Sequence, residues 1–199
     1  MKANILMTGS SGNCVVATFS DGYSVIFDFG EGASNVCPAD VIKRSNVFIT
    51  HLHNDHAGDF GKIKDFYKKD IPEFILVQRL AVKHSVENFG YIVANTHTSE
   101  AFFYFTDYTE IINLYSYYKI LEVLRKNKFK ILAMLELNHF SFLKKKMPEY
   151  MQYGLKFHSN EKHFLLEANR VKQYFLESKI ITLHASLRAD YQGSTGWNG

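Results

Sequence analysis

Cysteine is scarce in this 199-residue chain: Cys14 and Cys37 are the only two, and no C-x-x-C spacing joins them. That scarcity excludes a disulfide-stapled scaffold and a thiolate metal knuckle, and it points to a reducing setting, the cytoplasm. No apolar run approaches the ~20 residues that a membrane-crossing helix needs, so a soluble protein with no membrane partner is expected. Residues 1–7 are too short for a secretory leader before they enter a strand-like pattern. Charge of one sign is lacking as well. The 23 Lys and Arg against 20 Asp and Glu leave a formal +3, which is no broad basic field of the kind a committed nucleic-acid binder carries. Repeats, long linkers and low-complexity tracts are missing too. Residues 1–199 therefore read as a single domain, with a hydrophobic content of 46% to build one core.

Histidine, by contrast, is concentrated in one place. Residues 51–56 read His51-Leu52-His53-Asn54-Asp55-His56, directly after the apolar run Val47-Phe48-Ile49-Thr50. Imidazoles supply nitrogen ligands and Asp55 a hard oxygen, a mixture that suits zinc and, less selectively, manganese, iron or nickel. Alternate side chains of an extended segment share a side, so His51 and His53 can grip one ion while Asp55 and His56 reach a second. Two ions ~3.5–4 Å apart form a hydrolytic device. A histidine-rich surface loop is the bland alternative.

The H-x-H-x-D-H pattern resembles the metallo-β-lactamase fold superfamily. The turn Thr8-Gly9-Ser10-Ser11-Gly12-Asn13-Cys14 and the strand Val25-Ile26-Phe27-Asp28-Phe29-Gly30 look like the opening hairpins of its ribonuclease Z-like phosphodiesterase branch. The resemblance implies an α/β, four-layer αβ/βα sandwich and a hydrolase using two divalent metal ions, with zinc first and manganese, iron or nickel as alternatives. It also implies a ligand set. His51, His53 and His84 would take one ion; Asp55, His56 and His184 the other; and Asp107 would bridge them. His97 competes with His84, but it falls in the expected hairpin turn between residues 89–93 and 101–105. Asp28 would support the ligands from behind. Asp55 and His158 would be catalytic, with metal-bound hydroxide attacking phosphorus and His158 passing a proton to the leaving group. His139, Ser186 and Arg188 would touch substrate, although Phe140 stands where the bacterial branch commonly has aspartate.

Within that branch the chain also resembles compact phage and bacterial enzymes that degrade cyclic mononucleotide signals, some of which blunt antiphage defence. The partner this implies is a small phosphodiester, a cyclic nucleotide, met in the host cytoplasm if the protein is phage-encoded. A DNA or RNA nuclease of the same fold is the alternative, and a non-catalytic metal- or nucleotide-binding protein is another. Relatives of this kind are often dimers, so a homodimer is part of the expectation. Residues 140–154 include Lys144, Lys145 and Lys146 with Tyr150 and Tyr153, either a clamp for a phosphate and base or an ordinary solvated run. Periodicity suggests helices over residues 62–69, 113–128 and 162–177, and a buried strand over 129–135, with Ser159 or Asn160 capping the last helix.

Overall fold

The computed structural model describes residues 1–138 and 156–183. Its elements run β1 (Lys2–Met7), β2 (Cys14–Thr18), β3 (Ser24–Phe27), α1 (Ala33–Val36), α2 (Ala39–Arg44), β4 (Asn46–Phe48), α3 (Asn54–Ala57), α4 (Phe60–Ile63), β5 (Ile75–Val82), β6 (Asn88–Asn95), β7 (Glu100–Phe105), α5 (Leu114–Lys126), β8 (Lys130–Glu136), α6 (Glu161–Tyr174) and β9 (Lys179–Leu183). One sheet has the order β1-β2-β3-β4 and the other β5-β6-β7-β8-β9. Antiparallel hairpins open each sheet, and each then turns parallel, at β3–β4 in the first and at β7–β8–β9 in the second.

Side-chain alternation explains the layering. On β7, Phe102 and Tyr104 join Val15, Val25 and Phe27 between the two sheets, whereas Phe103 and Phe105 face Tyr117 and Leu121 of α5 and Val171 of α6. On β2, Cys14 and Val16 turn the other way, toward Phe29, Ala33 and Ile42. A strand covered on both faces reads as a continuous apolar run, and Ala101-Phe102-Phe103-Tyr104-Phe105 does so because every one of these residues is buried. The order helix, sheet, sheet, helix is the four-layer αβ/βα sandwich expected from the sequence. Among the described residues, no helix is long and apolar enough to cross a membrane.

The later helices form where periodicity places them, α5 capped by Asn113 and α6 by Asn160 in a capping box with His163. The helix expected over residues 62–69 does not form. The chain coils instead in two short turns, α3 and α4, and α4 ends at Ile63, whose side chain is buried against Ile26 and Phe29. Beyond it, the Lys68 N–H donates to the Ser45 carbonyl while the Lys68 carbonyl accepts from the Asn46 amide, which ties the segment to the start of β4.

Candidate metal centre

The site gathers where strands end. Asp28 follows β3, His51 follows β4, Asp107 follows β7, and Glu136 is the last residue of β8. The Thr50-His51-Leu52-His53 stretch leaves β4 extended, and α3 then folds Asp55 and His56 back beneath it. Three backbone bonds hold this loop against the opening turn and the segment after β3: Asn13 N–H to Asp55 O, Phe29 N–H to His56 O, and Glu31 N–H to Asn54 O. Gly30 permits that approach, since a Cβ there would lie 2.0 Å from the Asp55 carbonyl oxygen.

Two groups of metal-capable atoms result, His51, His53, His84 and Asp107 in one and Asp55, His56 and Asp107 in the other, each with its donor atoms within 4.8 Å of one another. Asp107 belongs to both. Its Oδ2 lies 3.6 Å from His51 Nε2 and 3.1 Å from His56 Nε2, and Asp55 Oδ2 lies 3.4 Å from the same His56 nitrogen. His84 enters from between β5 and β6, its ring 5.0 Å from that of His51 and 5.4 Å from that of His53. Its Nδ1 lies 3.1 Å from the Phe157 carbonyl oxygen. A carbonyl only accepts, so Nδ1 carries the proton and Nε2 keeps its lone pair. That Nε2 is buried and without a hydrogen-bond partner among the described residues. A buried lone pair aimed into a cluster of imidazole nitrogens and carboxylate oxygens is what a divalent cation satisfies, so these residues fit the two-metal centre that the sequence pattern implies.

For His51 and His84, electrostatics agree with that fit. Burial, together with the neighbouring His56, holds His51 down at about 3, and burial also lowers His84, so both rings stay neutral, the form that ligates. Burial works against charge on His56, but the Asp28, Asp107 and Asp55 carboxylates outweigh it and raise that group well above its usual range. Asp28 sits behind the loop and accepts four donors: the Thr50 N–H at 2.8 Å, the Thr50 hydroxyl at 2.9 Å, His56 Nδ1 at 2.7 Å and the Tyr104 hydroxyl at 2.9 Å. Asp28 and Asp107 both have left-handed backbones, at φ 58° and 51°. Non-glycine residues in that region store strain that only a tightly determined surrounding maintains.

A third group lies beside Asp107. His158 Nδ1 is 2.9 Å from Glu136 Oε1 and 3.2 Å from Asp107 Oδ1. Glu136 Oε2 in turn accepts from the Tyr108 and Ser159 N–H groups. Burial opposes charge on His158, but hydrogen bonds to Asp107 and Glu136 push it up to about 10.

Residues 7–74 match the sequence model of the Metallo-beta-lactamase superfamily. Over most of its length the chain also superposes on known structures. It has a metallo-β-lactamase fold. Human tRNase Z, short form (ELAC1), aligns with a TM-score of 0.65 at 16% identity over 96% of this chain and 94% of that one. The metallo-beta-lactamase fold protein YhfI from Bacillus subtilis aligns with a TM-score of 0.58 at 14% identity over 92% and 86%. No curated protein matches the sequence.

The metallo-β-lactamase fold thus brings together His51, His53, Asp55, His56, His84, Asp107 and His158, with Asp28 behind them. It does not bring in His97, whose ring stacks on Phe74 at 4.4 Å. His139, Lys144, Lys145, Lys146, His184, Ser186 and Arg188 lie outside the described residues. Sequence reasoning gave no individual part to Asn13, Thr50 or Tyr104. Asn13 Nδ2 lies 3.0 Å from His56 Nε2, and the Thr50 hydroxyl lies 3.1 Å from His51 Nδ1 and 3.3 Å from His56 Nδ1. Thr50 had a signal, its place directly before His51. Tyr104 had none beyond its alternation on β7.

Proposed function

We propose that this chain is a metal-dependent phosphodiester hydrolase acting on a small cyclic mononucleotide. The supporting observation is the sharing of Asp107 between the two metal-capable groups and the His158–Glu136 pair, which sets a proton-bearing imidazole beside a two-ion site. His51, His53, His84 and Asp107 would hold one divalent ion, and Asp55, His56, Asp107 and His184 the other, zinc being the first to test. Such ions supply Lewis acidity toward phosphate oxygens and lower the pKa of bound water. The chain's own residues do the rest. Asp55 would orient the reacting oxygen from one side, while His56, with Nδ1 on Asp28, would hold the ion through Nε2. His158, with Nδ1 held by Glu136, is placed to pass the Nε2 proton to the departing alkoxide, where general acid catalysis contributes ~10²–10⁴-fold.

The small-substrate reading is supported by the modest +3 charge. A nuclease reading is favoured by the likeness to human tRNase Z. Buried, free Cys14 and Cys37 suit a reducing cytoplasm, and a homodimer is tested by solution mass. The deciding experiment supplies metal-loaded protein with 3′,5′-cyclic mononucleotides and single-stranded oligonucleotides, with Asp55→Ala and His158→Ala as controls. Ring opening that both variants abolish supports the proposal. Oligonucleotide cleavage alone moves the chain to the nucleases, and bound metal without turnover on either substrate class overturns the phosphodiesterase reading.

A further inference from the structure

The two halves of the metal centre stand on different sheets. His51, His53, Asp55 and His56 come from the loop after β4, in the first sheet, whereas His84 and Asp107 flank β6 and β7, in the second. Ligands on separate layers keep a fixed spacing only if something locks the layers together, because sheet-on-sheet packing is apolar and has no directional preference of its own. Two tyrosines supply directional contacts. Tyr91 on β6 and Tyr104 on β7 are direct partners in the antiparallel register. Both reach across: the Tyr91 hydroxyl donates to the Ile49 carbonyl at 2.8 Å, and the Tyr104 hydroxyl donates to Asp28 Oδ2 at 2.9 Å. These acceptors lie on either side of the root of the histidine loop.

We propose that Tyr104 is a positioning residue for the metal centre, its hydroxyl fixing Asp28 so that Asp28 fixes His56. This rests on the metal-centre reading above. Asp28 Oδ2 is shared by the Tyr104 hydroxyl and His56 Nδ1, so the direction of one bond constrains the other. Tyr104 is 1% exposed, and its ring lies flat on Phe27 at 4.7 Å with planes 8° apart. Burial and the Asp28 carboxylate raise the phenol well above its ordinary range, so it stays a donor at every working pH. The stack fixes the ring, the ring fixes the hydroxyl, and the hydroxyl carries the position of the second sheet to an imidazole of the first. Tyr104→Phe keeps the stack and removes only the oxygen.

The test titrates metal-free wild type, Tyr104→Phe and Tyr91→Phe with zinc, and with cobalt to follow ligand geometry by absorption. Replacing residues that support metal ligands from behind typically costs ~10–100-fold in affinity. That loss is expected in Tyr104→Phe at the site containing His56, with an altered cobalt spectrum, while the site of His51, His53 and His84 moves much less. If both affinities fall together with the unfolding temperature, Tyr104 is a packing residue and the proposal is overturned. Unchanged affinities at both sites overturn it alone, whereas wild type that binds no metal overturns the metal-centre reading with it. Should Tyr104→Phe not fold, the wild-type Tyr104 hydroxyl proton, observed by NMR, still decides: it is expected to shift as the His56 site fills, and a stationary resonance overturns the proposal.

Discussion

Thr50 shows how much one small side chain organises here. Its single hydroxyl lies within hydrogen-bond distance of both oxygens of Asp28 and of Nδ1 on His51 and His56, all in the buried interior. Thr50→Val keeps the shape and removes the hydroxyl, leaving buried polar groups short of a partner at ~1–3 kcal/mol, readable by chemical denaturation of metal-free protein. His158→Ala is expected to behave in the opposite way. Turnover falls by ~10²–10⁴-fold while metal content, measured by elemental analysis, stays at the wild-type level, because the group that His158 forms with Glu136 shares only Asp107 with the two ion sites. At this scale the sequence was legible wherever side chains are close in the chain, as in residues 51–56. It was silent on Tyr104, whose partner Asp28 is 76 positions away.

Strands and helices carry their own constraints. Gly90 on β6 faces Phe105 so closely that a Cβ would lie 2.0 Å from the ring. Gly90→Ala therefore overpacks the interface between β6 and β7 at a cost of ~1–3 kcal/mol, and thermal unfolding should register it. Asp59, just before α4, receives the Ser34 N–H at 3.0 Å and Lys62 Nζ at 2.7 Å. Burial works against its charge, but these partners hold it down at about 2, below the ordinary 3.8. A carboxyl with a lowered folded-state pKa contributes stability that is present above its unfolded value and is lost as pH falls through the folded one. Between pH 4 and pH 2, wild type is thus expected to lose stability that Asp59→Asn never had, and the gap between their acid-unfolding curves should close toward the acid end. A persistent gap below pH 2 would assign the loss to packing. Elements were legible where periodicity is long: residues 113–128 and 162–177 announced α5 and α6 through their apolar spacing. Residues 62–69 misled, because bonds to Ser45 and Asn46, distant in sequence, outcompete the local helical preference.

For the molecule as a whole, metal and fold are expected to be linked. The proposed ligands come from both sheets, so an ion that binds only the folded chain stabilises the sandwich by ~1.4 kcal/mol per tenfold excess of free metal over Kd at each site. Thermal unfolding at rising zinc, reversed by a chelator, measures this, and a midpoint indifferent to zinc would contradict it. What the sequence by itself determined is local. Strands that alternate or run continuously apolar, the spans of two long helices, and six consecutive residues rich in ligating atoms are written in neighbouring positions, and short-range sterics and solvation suffice to read them. Only the tertiary structure decided which further distant groups meet: Glu136 against His158, and a tyrosine of the second sheet holding a carboxylate of the first. Those choices depend on the register and packing of two sheets, where small differences among many weak contacts select one arrangement, and no single stretch of sequence contains that sum.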